Sequence, residues 1–318
     1  MALPEEQSNR ADKIKQLKEF LRDIEDRTQQ NDSTPYEEAS FYDLTPEDYP
    51  MPDENGNTRQ KVWELQKIAD SIEKRKDTPV PEEKTSLQAS YKIDYPGLLN
   101  QSQLIAATTI QGPLLVIAGA GSGKTRVIVY RTAFLLENQV DPGEILLLTF
   151  TRKAAGEMLS RVSELLQDQR VGNITGGTFH SFATYVLKKN ARLLGLPHNF
   201  TILDAADAQD TIDLIRTQLR YYQSNKRFPK KKRINDIISA ARNRNMSIQE
   251  IIENEYTGLE DYIEDIELIY QGYTQYKTIS KLFDFDDLLE VLRDSLRDNA
   301  VFRKRIQDVY KYVMVDEF

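Results

Sequence analysis

The sequence predicts an α/β domain built on a parallel sheet, interrupted by an all-helical insertion and preceded by an acidic helical and disordered extension. Three observations carry this. The apolar run Pro113–Gly119 ends in a glycine-rich turn and leads into helical spacing from Lys124 to Leu136. A second run, Ile145–Phe150, is followed by helical periodicity from Arg152 to about Gln167. Residues 185–301 then show helical stretches with no apolar run of strand type, before Val309–Val315 returns to that type and ends in Asp316-Glu317. Short apolar runs alternating with helical spacing are what buried parallel strands and their crossover helices look like.

In chain order, residues 1–95 read as an extension. Ala11–Arg27 carries a helical stripe of Ile14, Leu17, Phe20, Leu21 and Ile24. Asn31–Asn57 is rich in Pro, Asp, Glu, Asn and Ser and offers little to bury. A second amphipathic helix is expected over Arg59–Arg75, with Thr78–Ser90 as a linker. Both helices read as solvated elements on a tether, or as a docking segment for a protein partner. Residues 96–184 form the first part of the α/β domain, with a third strand at Ile174–Thr178. The insertion, residues 185–301, is expected to hold helices over Tyr185–Leu194, Ala205–Tyr222, Ile234–Asn243, Tyr262–Lys281 and Asp286–Leu296. Residues 302–318 return to the α/β domain.

Composition narrows the classes. The 318 residues include no Cys and two His, His180 and His198, which excludes disulfides, Cys-ligated zinc and a His-rich metal site. The acidic start has no apolar core of leader length, and no apolar run is long enough to span a bilayer, so a soluble, cytoplasmic protein is expected. The net charge is −8, and residues 1–95 carry all of it, with 14 Lys and Arg against 22 Asp and Glu. The remainder is neutral, so the low overall pI does not argue against nucleic-acid binding there.

Ala118-Gly119-Ala120-Gly121-Ser122-Gly123-Lys124-Thr125 has the spacing of a phosphate-binding loop between a strand and a helix. Glycines let successive backbone N–H groups point at one anion, and the helix N-terminus adds partial positive charge. Lys124 is placed to reach β- and γ-phosphates, and the Thr125 hydroxyl to ligate Mg²⁺, so ATP and Mg²⁺ are the expected cofactors. Asp316, at the tip of a strand, suits the metal, and Glu317 suits activation of the attacking water.

From here the residues resemble a family. Pro96–Phe318 is similar to the UvrD/Rep/PcrA group of superfamily-1 DNA helicases, and several ordered blocks carry the likeness. Leu99-Asn100-Gln101-Ser102-Gln103 resembles the family's Q motif, whose last Gln, here Gln103, reads the adenine edge. Ala118–Arg126 resembles its Walker A stretch, with Arg126 similar to an arginine packed near the base. Thr149–Met158 resembles motif Ia, although the commoner form has Asn where Arg152 stands and usually not Gly at position 156. Gly177–Phe182 matches motif Ib closely. Asp284-Phe285-Asp286-Asp287-Leu288-Leu289 is similar to a signature leading out of the helical insertion, and Val315–Phe318 begins motif II.

The resemblance implies a RecA-like P-loop NTPase that moves on single-stranded and junction DNA, with DNA repair as its setting. It points to Phe150, Thr151, Arg152, Thr178, His180 and Ser181 as DNA contacts, through hydroxyls and backbone N–H groups on phosphates and an aromatic face on bases. The basic run Lys226–Arg233, with Arg242 and Arg244 beyond it, reads as a grip on DNA backbone. The family's motif II continues with a Gln and the motor with a second RecA-like domain, neither of which is in this sequence. The 318 residues are therefore expected to be a portion of a longer gene product, nearly inactive alone. A subunit of a recombination nuclease complex and a non-enzymatic ATP-dependent interaction module are the competing readings.

Overall fold

The computed structural model describes residues 4–30, 91–221 and 228–316. The expected helix at Arg59–Arg75 and the stretches around it lie outside the described residues. The α/β part begins with two short helices, α2 (Tyr95–Leu98) and α3 (Gln101–Thr108), after the N-terminal α1 (Pro4–Gln30). It continues through α4 (Lys124–Glu137), β1 (Ile145–Thr149), α5 (Arg152–Leu166), β2 (Thr175–Thr178) and α6 (Phe179–Lys189). It closes with α13 (Ala300–Val309) and β5 (Tyr312–Val315).

The sheet has the order β2-β1-β5 and is parallel throughout. Leu148 stands opposite Gly177 on one side and Val315 on the other. All five residues of β1 are buried, because helices cover both faces. The two-residue period of a strand sorts them. Ile145 and Leu147 pack with Phe134, Met158, Val162 and Met314 under α4 and α5. Leu146 and Leu148 pack with Phe182, Val186 and Phe302 on the opposite face.

One expected strand differs. Pro113–Gly119 joins no ladder among the described residues, and Leu114, Leu115, Val116 and Ile117 are exposed, Ile117 at 79%. A strand exists only where a neighbour supplies N–H and C=O groups, and an apolar run cannot make those partners alone. The described sheet also stops at β5, whose Val313 is 54% exposed.

The insertion holds α7 (Ala191–Leu194), α8 (Ala205–Gln218), α9 (Lys231–Arg244), α10 (Ile248–Glu255), α11 (Ile263–Ile279) and α12 (Phe285–Asp298). Its core is isoleucine-rich: Ile212, Ile215, Ile234, Ile237, Ile251, Ile252, Ile266 and Ile269. Two corrections apply to the sequence reading. The insertion is not free of strands, since β3 (Thr201–Ile202) and β4 (Leu282–Phe283) pair in parallel. Two residues per strand are too few for a periodic signal. And α1 does not stand alone in solvent: Leu17 and Leu21 are buried in the insertion's core.

Candidate nucleotide and nucleic-acid site

The glycine loop is held by its own atoms. The Ser122 N–H and hydroxyl both donate to the Gly119 carbonyl, at 3.3 and 2.7 Å. Gly121 and Gly123 have positive φ, 75° and 88°, a region costly for side chains with a Cβ. Gly123 is also the N-cap of α4, and no side chain caps that helix. Its leading N–H groups therefore have no side-chain acceptor, unlike those of α3, α5, α6 and α12. Lys124 folds back so that Nζ donates to the carbonyls of Ala118 and Gly119, at 3.1 and 3.4 Å. A Cβ at Gly119 or Gly121 would meet nothing within 4 Å, so the loop faces open space. Two left-handed glycines, unbound leading amides and an adjacent ammonium fit a phosphate chain.

Gln103 lies against this loop. Its Nε2 donates to the Ser122 carbonyl at 3.0 Å, and a Cβ on Gly123 would sit 2.8 Å from that nitrogen. Its Oε1 accepts from the Asn100 N–H at 3.2 Å, half of the capping box that starts α3. One N–H and one lone pair of the amide are left over. Arg126 is anchored beside it, donating to the Leu98 carbonyl at 2.8 Å, with its guanidinium 5.3 Å from the Tyr130 ring.

The C-terminal ends of β1, β2 and β5 bring the other sequence-predicted residues to one edge of the sheet. After β1 the chain turns on Thr149, whose Oγ1 donates to the Thr151 carbonyl and accepts from the Thr151 N–H. Phe150 is 45% exposed at this corner, edge-on to Phe179 at 6.4 Å. The Thr151 hydroxyl caps α5 by accepting from the Ala154 N–H, and Arg152 is the first residue of that helix. After β2, Thr178 caps α6 and pairs with Ser181 in a reciprocal capping box. Ser181 is buried, so its hydroxyl is committed to that box. Asp316 follows β5, its N–H donating to the Leu148 carbonyl at 2.9 Å, with its side chain largely buried. Glu317 lies outside the described residues.

His180, in the first turn of α6, meets the Phe285 ring edge to face at 5.4 Å. Burial lowers its pKa below the usual 6.5, so the imidazole is neutral at pH 7. Phe285 opens α12, and Asp284 just before it is the N-cap. Asp284 belongs to a buried ionic cage. Lys277 of α11 donates to Asp284 and, at 2.6 Å, to Asp287. Tyr273 donates to Asp284 at 2.8 Å. Arg242 of α9 spans Asp284, Asp287 and Glu290.

That cage corrects the reading of Arg242 as part of a DNA grip: its side chain is 8% exposed and bound to three carboxylates. Arg244 pairs with Glu255. Of the basic run, residues 226 and 227 lie outside the described residues. Phe228 is buried, Lys231 pairs with Asp210, and Arg233 lies over the Tyr256 ring at 5.6 Å.

Sequence reasoning missed Lys277, Tyr273 and Arg131. Arg131 donates to the Ala106, Thr109 and Ile110 carbonyls at the end of α3, which holds the Gln103 helix on α4. The Asp284–Asp287 spacing was a legible cap signal. Of the cations that meet it, Arg242 comes from 42 residues away and left no local trace, whereas Lys277 lies seven residues before Asp284, on the preceding helix.

Comparison with known proteins gives one family and a consistent set of relatives. The family described as UvrD/REP helicase N-terminal domain matches residues 99–318. The ATP-dependent DNA helicase PcrA of Staphylococcus aureus is 33% identical over 222 residues, covering 69% of this chain and 29% of that protein. PcrA of Staphylococcus epidermidis gives the same identity and coverage. The chain thus spans less than a third of the length of these relatives.

Proposed function

Since the chain belongs to the UvrD/Rep helicase family, we propose that it serves an ATP-driven DNA motor, with ATP and Mg²⁺ held at a RecA-like P-loop. The observation that carries this is the uncapped N-terminus of α4 behind the glycine loop, with Lys124 and Thr125 as its first two residues. In this reading the loop amides from Gly119 to Thr125 and the Lys124 ammonium cradle the phosphates. The Thr125 hydroxyl and Asp316 hold the metal. No group of three or more His, Cys, Asp or Glu side chains able to hold a metal ion is found among the described residues. Mg²⁺ bound to a nucleotide keeps waters and phosphate oxygens and needs only one or two protein ligands. Glu317 orients and deprotonates the attacking water. Gln103 spends its spare N–H and lone pair on the adenine edge, and Arg126 packs beside the base.

Single-stranded DNA then crosses the sheet edge where β1 and β2 end, as ligands of parallel sheets do. Phe150 offers a face for base stacking, while Arg152 and the first turns of α5 and α6 address phosphates. Thr151, Thr178 and Ser181 act mainly by shaping those turns, because their hydroxyls already cap them. His180 contributes as a neutral hydrogen-bonding imidazole.

Two measurements test this. Fluorescent-ATP binding should vanish in Lys124→Ala; unchanged affinity would remove the loop from its role. A chain spanning the full length of the relatives should displace a labelled strand from duplex DNA in an ATP-dependent manner, and failure under conditions where it hydrolyses ATP would overturn the motor reading.

A further inference from the structure

The family match begins at residue 99, and α1 lies outside it. Nevertheless α1 packs along α8 and α11 of the insertion through one narrow stripe. Arg10 pairs with Glu264. One turn on, Lys13 reaches Asp265 at 3.4 Å and sits 3.9 Å over the Tyr221 ring. Leu17 and Leu21 are buried, and Phe20 stacks on Tyr276 with centroids 6.2 Å apart and planes within 6°. The groove is shaped for this helix. At Gly272 of α11 a Cβ would sit 2.9 Å from Leu17 Cδ1 and 3.0 Å from Ile215 Cγ2, so a side chain there would have to displace the Leu17 tip of α1 and the Ile215 tip of α8, and a bulky one would take the space that Leu17 fills.

Beside this stripe an open cleft of about 750 Å³ runs between Gln16, Phe20, Ile24 and Arg27 of α1 and Leu214 and Gln218 of α8. Residues 31–90 join α1 to the rest of the chain. Their 60 residues could span at most roughly 200 Å when extended, which is ample reach for α1 to leave and return.

We propose that the α8/α11 face is a helix-docking groove and that α1 is its resident ligand, a separable cis module bound to the insertion. The groove selects an amphipathic helix with bases at positions 10 and 13 and leucines at 17 and 21, one face of a 3.6-residue repeat. Its acidic rim, Glu264 and Asp265, matches the two bases, and the Gly272 notch admits the leucine. The bond between the two is non-covalent, so its strength depends on effective concentration set by the connection.

The test uses the full chain with a protease site placed within residues 31–90. After cleavage, the α1 segment should co-elute with the remainder in size-exclusion chromatography at about 50 μM, with half released on dilution to low micromolar levels. Elution apart at every concentration overturns the proposal. Gly272→Leu should release the segment while leaving the circular dichroism of the remainder unchanged, and retention would overturn the notch. A labelled peptide of residues 4–30 supplies a measurement that does not depend on folding of a variant body. Its binding to the stripped remainder should weaken at least about tenfold with Leu17→Asp in the peptide. Equal affinity for both peptides counts against the groove. An uncut chain that runs as a dimer and becomes a monomer with Leu17→Asp would show exchange between copies and overturn docking in cis.

Discussion

Arg242 reaches from the last turn of α9 to both carboxylate oxygens of Asp284, at 3.1 Å each, and Asp284 is the N-cap of α12. The same cap positions Phe285, the ring that meets His180. The ionic cage thereby joins the insertion to the turn that follows β2. Three carboxylates, Asp284, Asp287 and Glu290, share two cations, Arg242 and Lys277. Removing one cation leaves buried charge uncompensated, which is far costlier than the pair is stabilising.

Arg242→Met should therefore destabilise the folded chain by about 3–5 kcal/mol, read as a shift of the urea unfolding midpoint. Arg242→Lys should recover only part of this, because an ammonium cannot bridge the carboxylates as a guanidinium fork does. A loss under about 1 kcal/mol for Arg242→Met would mean that the carboxylates are solvated rather than caged.

The cage also sets the response to acid. Burial pushes the Asp284 carboxyl up, but Lys277 and Arg242 beside it win and hold it at about 2, below its usual 3.8. A depressed carboxylate stabilises the fold above its unfolded pKa and loses that contribution as pH falls from about 4 to about 2. Asp284→Asn should flatten that limb of the stability curve. Asp286 behaves oppositely: burial raises its pKa, so its contribution is full below the unfolded value and is lost as pH rises through the folded one. Asp286→Asn, which mimics the neutral acid, should stabilise the chain at pH 7 by on the order of 1 kcal/mol in chemical denaturation.

Gly123 combines a left-handed φ with a close approach to Gln103. Gly123→Ala should weaken nucleotide binding and cost about 1–2 kcal/mol of stability, since backbone strain and the displaced Gln103 amide both act. Isothermal titration with an ATP analogue checks the first effect and thermal unfolding the second. In a chain spanning the full length of the relatives, Glu317→Gln should retain ATP binding and lose turnover. Normal turnover would take Glu317 out of the reaction.

The chain has two histidines, so His180 can be followed directly by NMR titration. Its midpoint should lie below 6.5, as burial disfavours the imidazolium. Phe285→Ala should bring the midpoint back towards 6.5 by opening the site to water. Arg242→Lys should produce a smaller move in the same direction if the cage positions Phe285, and no move if it does not.

Phe150 stands half exposed at the end of an otherwise buried strand. Phe150→Ala should weaken binding of an oligo-dT strand by about 1–3 kcal/mol with little change in the salt dependence, because stacking rather than charge is removed. Arg152→Ala should instead lower the salt slope.

Much of the architecture was legible locally. The run Ile145–Thr149 reads as a buried strand because its apolar side chains gain by leaving water, and β2 and β5 supply the neighbours that pair with it. The glycine loop was equally plain, since Gly121 and Gly123 occupy backbone regions that other residues avoid. Caps at Asn100, Thr178 and Asp284 are short-range hydrogen bonds written within four residues. Pairing is a different kind of fact. Pro113–Gly119 has the apolar character of a strand yet forms no ladder among the described residues, because hydrogen bonds need a partner that composition cannot name. The two-residue β3–β4 pair, the burial of α1 against Gly272 and the seating of Arg242 among three carboxylates likewise depend on segments far apart in the chain. Basic residues look alike in sequence, and whether one faces solvent or a caged acid depends on what long-range packing brings within about 3 Å of it.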